Sequence, residues 1–176
     1  MSFKKNKYVV IRQALSKELA SFVANYFLMK KQVMDTCRQA RYISPFETLL
    51  GEYEAADSQI PHTYSSYSDI AMETLMLKCQ PLMEKATGLK LNPAYTYARI
   101  YKKGDVLKRH KDRFSCEIST TMNLGGDDWP IYLDPTNTDI PPDNQPYKVI
   151  GNKGIKVDLK PGDMLIYSGC ELEHWR

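Results

Sequence analysis

Apolar residues at Leu19, Phe22, Val23, Tyr26 and Phe27 recur at the three- and four-residue spacing of one helix face. Ser16 supplies an N-cap and Glu18 an acid in the first turn, so the pattern predicts a helix running to about Lys30. The β-branched run YVVIRQAL (8–15) before it predicts a strand. A second helical period opens on Asp69 and carries Ile70, Leu75, Met76, Cys79, Leu82, Met83 and Ala86 toward the core. Pro81 should kink or interrupt it, and Thr87-Gly88 should close it. Residues 36–68 hold no sustained period. They read as a long irregular segment, with TYSSY (63–67) as coil.

Beyond Pro93 the texture changes to short strands separated by turn residues. AYTYARIY (94–101), VLKRHKD (106–112), CEISTTMNL (116–124), WPIYLD (129–134), GIKVDL (154–159), MLIYSG (164–169) and LEHWR (172–176) are the predicted extended segments. KKGD, GGDD and PGD mark turns, and residues 135–147 form a Pro/Asn/Asp loop. Several short strands at regular spacing argue for a sandwich or barrel, the class to which jelly rolls belong. The expected organisation is one domain over 1–176. Helical support occupies about 1–93 and a β-rich core about 94–176, an α+β arrangement.

Composition narrows the function classes. A net charge of +3 over 176 residues is too small to argue for nucleic acid. No apolar run matches a bilayer span and MSFKKNK lacks a secretory segment, so a soluble cytoplasmic protein without a membrane partner is expected. Cys37, Cys79, Cys116 and Cys170 are widely spaced with no C-x-x-C pair, which argues for reduced thiols rather than zinc or disulfides. Oligomeric state is left open.

The stretch RHKDR (109–113) contains one of only three histidines. It could be a solvated charge run, a nucleic-acid patch or an ion-pair cluster. In an extended chain, however, His110 and Asp112 share a face while Arg109 and Lys111 point away. A neutral imidazole and a carboxylate suit a mid-series divalent metal, and two histidines with one carboxylate form the open-sided triad of non-heme Fe(II) oxygenases. The third ligand must be His62 or His174. His174 follows PGDMLIYSG on a late strand able to pair near residues 106–112, whereas His62 lies in the irregular half. His174 is therefore the expected partner.

YARIYKKGDVLKRHKDRFS, ISTTMNL, KPGDMLIYSG and EHW resemble the Fe(II)- and 2-oxoglutarate-dependent dioxygenases, in particular the prolyl 4-hydroxylase-like branch and its microbial and phage members. The resemblance covers roughly 94–176 and implies a double-stranded β-helix (jelly roll) with N-terminal supporting helices. It also implies Fe(II) held by His110, Asp112 and His174, with 2-oxoglutarate as co-substrate, O2 as oxidant and ascorbate as an accessory reductant. The reaction would release succinate and CO2 and hydroxylate a C–H bond. The implied substrate is a prolyl residue in a peptide or protein, with a free amino acid or other small molecule as alternative.

By the same resemblance Tyr101, nine positions before His110, lines the co-substrate pocket, and Ser119, Thr121 and Asn123 alternate along its wall. The family also presents a Lys or Arg beyond the last histidine to the distal carboxylate of 2-oxoglutarate, whereas this sequence stops at Arg176. A missing final strand is the first explanation, and Arg99 and Arg176 are the inner-pocket cations that could substitute. Lys108, Arg109 and Arg113 would form a cationic rim. Two other classes stand beside this reading: a non-catalytic metal-binding β-sandwich, and a nucleic-acid-binding module using KKNK (4–7) and KRHK (108–111).

Overall fold

The computed structural model describes residues 2–53, 59–136 and 151–176; most of the 135–147 loop lies outside them. In chain order the elements are α1 (Phe3–Asn6), β1 (Tyr8–Ile11), α2 (Lys17–Gln39), β2 (Glu52–Tyr53), β3 (Tyr64–Tyr67), α3 (Ile70–Thr87) and β4 (Tyr97–Arg99). They continue with β5 (Ile118–Met122), β6 (Ile131–Asp134), β7 (Ile155–Val157), β8 (Met164–Ser168) and β9 (Glu173–Trp175). All strand pairs are antiparallel, in sheets of order β1-β8-β5, β2-β3-β4 and β7-β6-β9. No helix among the described residues is long and apolar enough to cross a membrane.

The two-residue period of β8 divides the core. Leu165 and Tyr167 pack with Tyr8 against Ile131, Leu133, Val157, Leu159 and Leu172, joining the β1-β8-β5 sheet to the β7-β6-β9 sheet. Met164 and Ile166 point the other way, onto Phe3, Leu15, Cys79 and Met83. A third cluster sets Val23, Phe27, Met34 and Met72 around Tyr64, whose hydroxyl donates to the Leu50 carbonyl at 2.5 Å. The helices thus back one sheet, and the site described below borders the opposite face.

Several expectations change. Helix α2 runs nine residues past Lys30, because its buried stripe (Ala20, Val23, Phe27, Met34) continues and Lys31 pairs with Asp35 one turn on. Phe22 falls off that stripe and is 70% exposed. In α3 the buried residues are Met72, Cys79 and Met83, while Ile70 is 84% exposed and Leu82 also faces outward. The helix continues through Pro81: the carbonyl that loses its partner belongs to exposed Leu77, where water can satisfy it. TYSSY is not coil but largely strand β3, wedged between β2 and β4 with Tyr64, Ser65 and Ser66 buried. Residues 106–112 are extended without forming a strand, and β4 is shorter than the alternation suggested.

Candidate metal centre

Residues 107–112 run beside residues 169–176 and extend the edge of β9. His110 N–H donates to the His174 carbonyl at 3.1 Å, and His174 N–H donates back at 2.9 Å. Arg176 N–H reaches the Leu107 carbonyl at 3.0 Å and Asp112 N–H the Gly169 carbonyl at 2.8 Å. This seam sets two distant segments in fixed register.

Arg109 points to the other side, as alternation requires, but it is not part of a solvated rim. Asp134 and Glu173 face each other across β6 and β9, both fully buried. Two carboxylates in direct opposition need a cation. Arg109 supplies it: Nη2 lies 2.5 Å from Asp134, Nε donates to Glu173, Nη1 donates to the Asn152 carbonyl, and the guanidinium sits 4.0 Å over the Trp175 ring. The first cation of RHKDR is therefore a clamp between the seam and the sheet.

On the opposite side His110, Asp112 and His174 converge, each offering one ligand atom, all within 4.8 Å of one another. Asp112 Oδ1 is 3.4 Å from His174 Nε2 and 3.8 Å from His110 Nε2, and the imidazole centroids are 4.2 Å apart. Small side-chain rotations would close these atoms on an ion at about 2.1 Å per bond. Each imidazole has Nδ1 against a carbonyl two residues upstream, Lys108 at 2.7 Å and Leu172 at 3.1 Å. A carbonyl only accepts, so Nδ1 carries a proton in each ring and Nε2 is the atom left toward the gap. Burial, assisted by the neighbouring His174, lowers the His110 pKa and keeps that ring neutral. Burial would raise the Asp112 carboxyl, but His174 and the Ser119 hydroxyl outweigh it and hold its pKa below the usual value. Two nitrogen donors and one ionised oxygen on one side of a gap form a group that could hold a metal ion.

Ser119 donates to Asp112 Oδ2 at 2.5 Å, which turns Oδ1 toward the imidazoles. Alternation had set Ser119 on the pocket wall without suggesting this partner. Gly169 completes the arrangement: a Cβ there would lie 2.5 Å from both Asp112 Oδ2 and Ser119 Oγ, so only glycine fits. From the β2–β3 connection Gln59 approaches, its Nε2 3.5 Å from His110 Nε2. Its position before IPHT carries no sequence signal for that contact.

The other expected residues fall into two groups. Tyr101 makes an edge contact with Trp129 (4.8 Å) and lies 5.8 Å from the guanidiniums of both Arg99 and Arg176. Arg176 is largely enclosed; it donates to the Trp129 carbonyl at 2.8 Å and approaches Thr121 Oγ1 at 3.5 Å. Asn123, in contrast, is engaged with the Leu159 carbonyl and the Gly125 N–H, organising the turn after β5. His62 is exposed, outside the cluster, with a left-handed φ of 60°.

No family model matches the sequence, and no curated protein matches it. Among solved structures, the crystal structure of a Pseudomonas putida prolyl-4-hydroxylase is similar, with a TM-score of 0.55 over 98% of this chain and 85% of that chain. The identity is 15%, so the likeness is one of fold.

Two consequences can be measured. Arg109→Ala leaves the carboxylates of Asp134 and Glu173 buried without their guanidinium and should cost about 3–5 kcal/mol in chemical denaturation. Lys108→Ala, at an exposed position, should cost under about 0.5 kcal/mol; equal losses would show that Arg109 is no clamp. Ser119→Ala should weaken Mn(II) or Co(II) binding about tenfold while leaving thermal stability of the metal-free protein nearly unchanged. An unaltered metal titration would mean that the hydroxyl does not set the carboxylate.

Proposed function

We propose that this chain is an Fe(II)- and 2-oxoglutarate-dependent dioxygenase that hydroxylates a C–H bond, with a prolyl residue of a peptide as target. The facing β1-β8-β5 and β7-β6-β9 sheets are read as the two walls of a double-stranded β-helix. The observation that carries the proposal is the convergence of His110 Nε2, Asp112 Oδ1 and His174 Nε2, with both Nδ1 atoms already committed to carbonyls. The fold likeness to a prolyl-4-hydroxylase supports it.

In this reading the three side chains hold Fe(II) from one side and leave the other coordination positions for exchangeable ligands. Fe(II) with 2-oxoglutarate and O2 supplies the oxidising power that yields succinate, CO2 and a hydroxylated product. The protein's part is binding and orientation. Ser119 fixes which carboxylate oxygen of Asp112 faces the metal. Arg176, on the same strand face as His174 and enclosed by Tyr101 and Trp129, is assigned to the distal carboxylate of 2-oxoglutarate. No carboxylate among the described residues pairs with its side chain, and burial lowers its pKa, as expected for a cation placed to receive an anion. Thr121 and Tyr101 form the adjoining wall, and Arg99 lies farther out against Tyr97. The nucleic-acid alternative loses support, since Arg109 is spent on Asp134 and Glu173, and Lys7 on Glu171 at 3.1 Å.

Wild-type protein with Fe(II), ascorbate and 2-oxoglutarate should form succinate; His110→Ala, Asp112→Ala and His174→Ala should each lower this by at least about 100-fold, and His62→Ala should not. Turnover surviving in His110→Ala would remove that residue from the set. Arg176→Leu should raise the apparent KM for 2-oxoglutarate about 10- to 100-fold with metal affinity retained. If Arg99→Leu does so instead, the carboxylate assignment moves outward.

A further inference from the structure

A row of rings and guanidiniums runs along one side of the candidate centre. Arg176, two residues after His174, lies against Tyr101; Arg99 lies 5.8 Å from that ring and 4.9 Å from the Tyr97 ring, whose hydroxyl it reaches at 2.7 Å. Tyr97 pairs across the strands with Tyr67, their rings in edge contact at 6.2 Å. Tyr67 stacks on Tyr95 with centroids 4.6 Å apart and planes at 15°. Arg113 closes the row: its guanidinium sits 4.8 Å over Tyr95 and donates to the Tyr67 hydroxyl at 3.0 Å. Arg113 follows Asp112 directly, so both ends of the row are tethered beside the converging side chains.

The row leads from cover to solvent: Arg176, Tyr101, Arg99 and Tyr95 are half-buried, while Tyr97 is 43% exposed, Tyr67 is 51% exposed and Arg113 is exposed. The inner cation serves the co-substrate in the reading above, which leaves the outer one without a role. Arg113 is oriented by Tyr67 and Tyr95, its side chain is exposed, and no carboxylate among the described residues pairs with it. An oriented guanidinium on an aromatic support is pre-organised to receive a planar anion, because little side-chain entropy is left to lose.

We propose that Arg113, with Tyr67 and Tyr95, is a receptor for a carboxylate on the primary substrate, so that the molecule oxidised is an anion, with an acidic side chain of a peptide as its source. The inference rests on the proposed function for the identity of the neighbouring site, though not for its binding measurement.

The test uses the full chain loaded with Mn(II), so that nothing is consumed. Binding of acetyl-Glu-Pro-Glu-amide is compared with that of acetyl-Gln-Pro-Gln-amide, and free proline with prolinamide, by calorimetry. The acidic peptide should bind about tenfold more tightly than its neutral counterpart. Arg113→Gln should bring that ratio close to one, and Arg113→Lys should keep part of it. An Arg113-dependent ratio confined to the proline pair assigns the carboxylate to a free acid instead. Ratios near one in both pairs, no measurable binding of any probe, or a ratio that survives Arg113→Gln overturns the proposal. Succinate formation by wild type is scored separately. Its absence alongside an Arg113-dependent ratio removes the catalytic reading and leaves the anion site, and the reverse pattern does the opposite.

Discussion

The exchange of two backbone hydrogen bonds between His110 and His174 is the constraint on which the site depends. The pair is flanked by the bonds from Arg176 to Leu107 and from Asp112 to Gly169, and it sets the separation of both imidazoles and, through the next residue of the same face, of Asp112. A slip of one residue would turn the 110 side chain away and bring a cation into its place. Arg109 opposes that slip. Its guanidinium can neutralise Asp134 and Glu173 only when residue 109 lies on the far side of the seam, so the ion pairs and the imidazoles report the same register. Buried ion pairs are weak sources of net stability, and their better-attested use is to specify one arrangement over its neighbours.

The same alternation that separates 109 from 110 separates two chemistries on β5. Ser119 and Thr121 face the centre, while Ile118 and Met122 pack toward the helices with Met164 and Ile166. A strand one residue out of phase would bury the hydroxyls and expose the apolar pair. Hydrophobic burial on one face thereby fixes polar placement on the other, at no cost in extra interactions.

Much of this was legible in the sequence, and for identifiable reasons. The strands from Ile118 onward follow two-residue alternation and turn residues, which are local signals. The convergence of His110, Asp112 and His174 was legible because i, i+2 spacing is a local fact and few histidines compete. Arg109 was misread because its partners lie 25 and 64 residues away, and a charge between other charges looks solvated. TYSSY was misread because a buried Ser-Ser pair is unlike the apolar alternation of a half-exposed strand; Ser66 is covered partly by Lys30, whose amine reaches it at 3.2 Å. Phe22 was misread because apolar spacing defines a stripe but not its centre. The contact from Ser119 to Asp112 and the fit of Gly169 depend on tertiary distances that no periodicity encodes.

Strands β1 and β5 both pair with β8, β6 pairs with β9, and residue 110 waits for residue 174. During synthesis β2, β3 and β4 can pair with one another and β6 with β7, but β1, β5 and the segment at residue 110 stay without their neighbours until residues 164–175 leave the ribosome. The imidazoles and the carboxylate cannot gather around an ion on a half-made chain. A nascent polypeptide stalled upstream of β8 would expose apolar strand edges to chaperones without presenting the three converging side chains together.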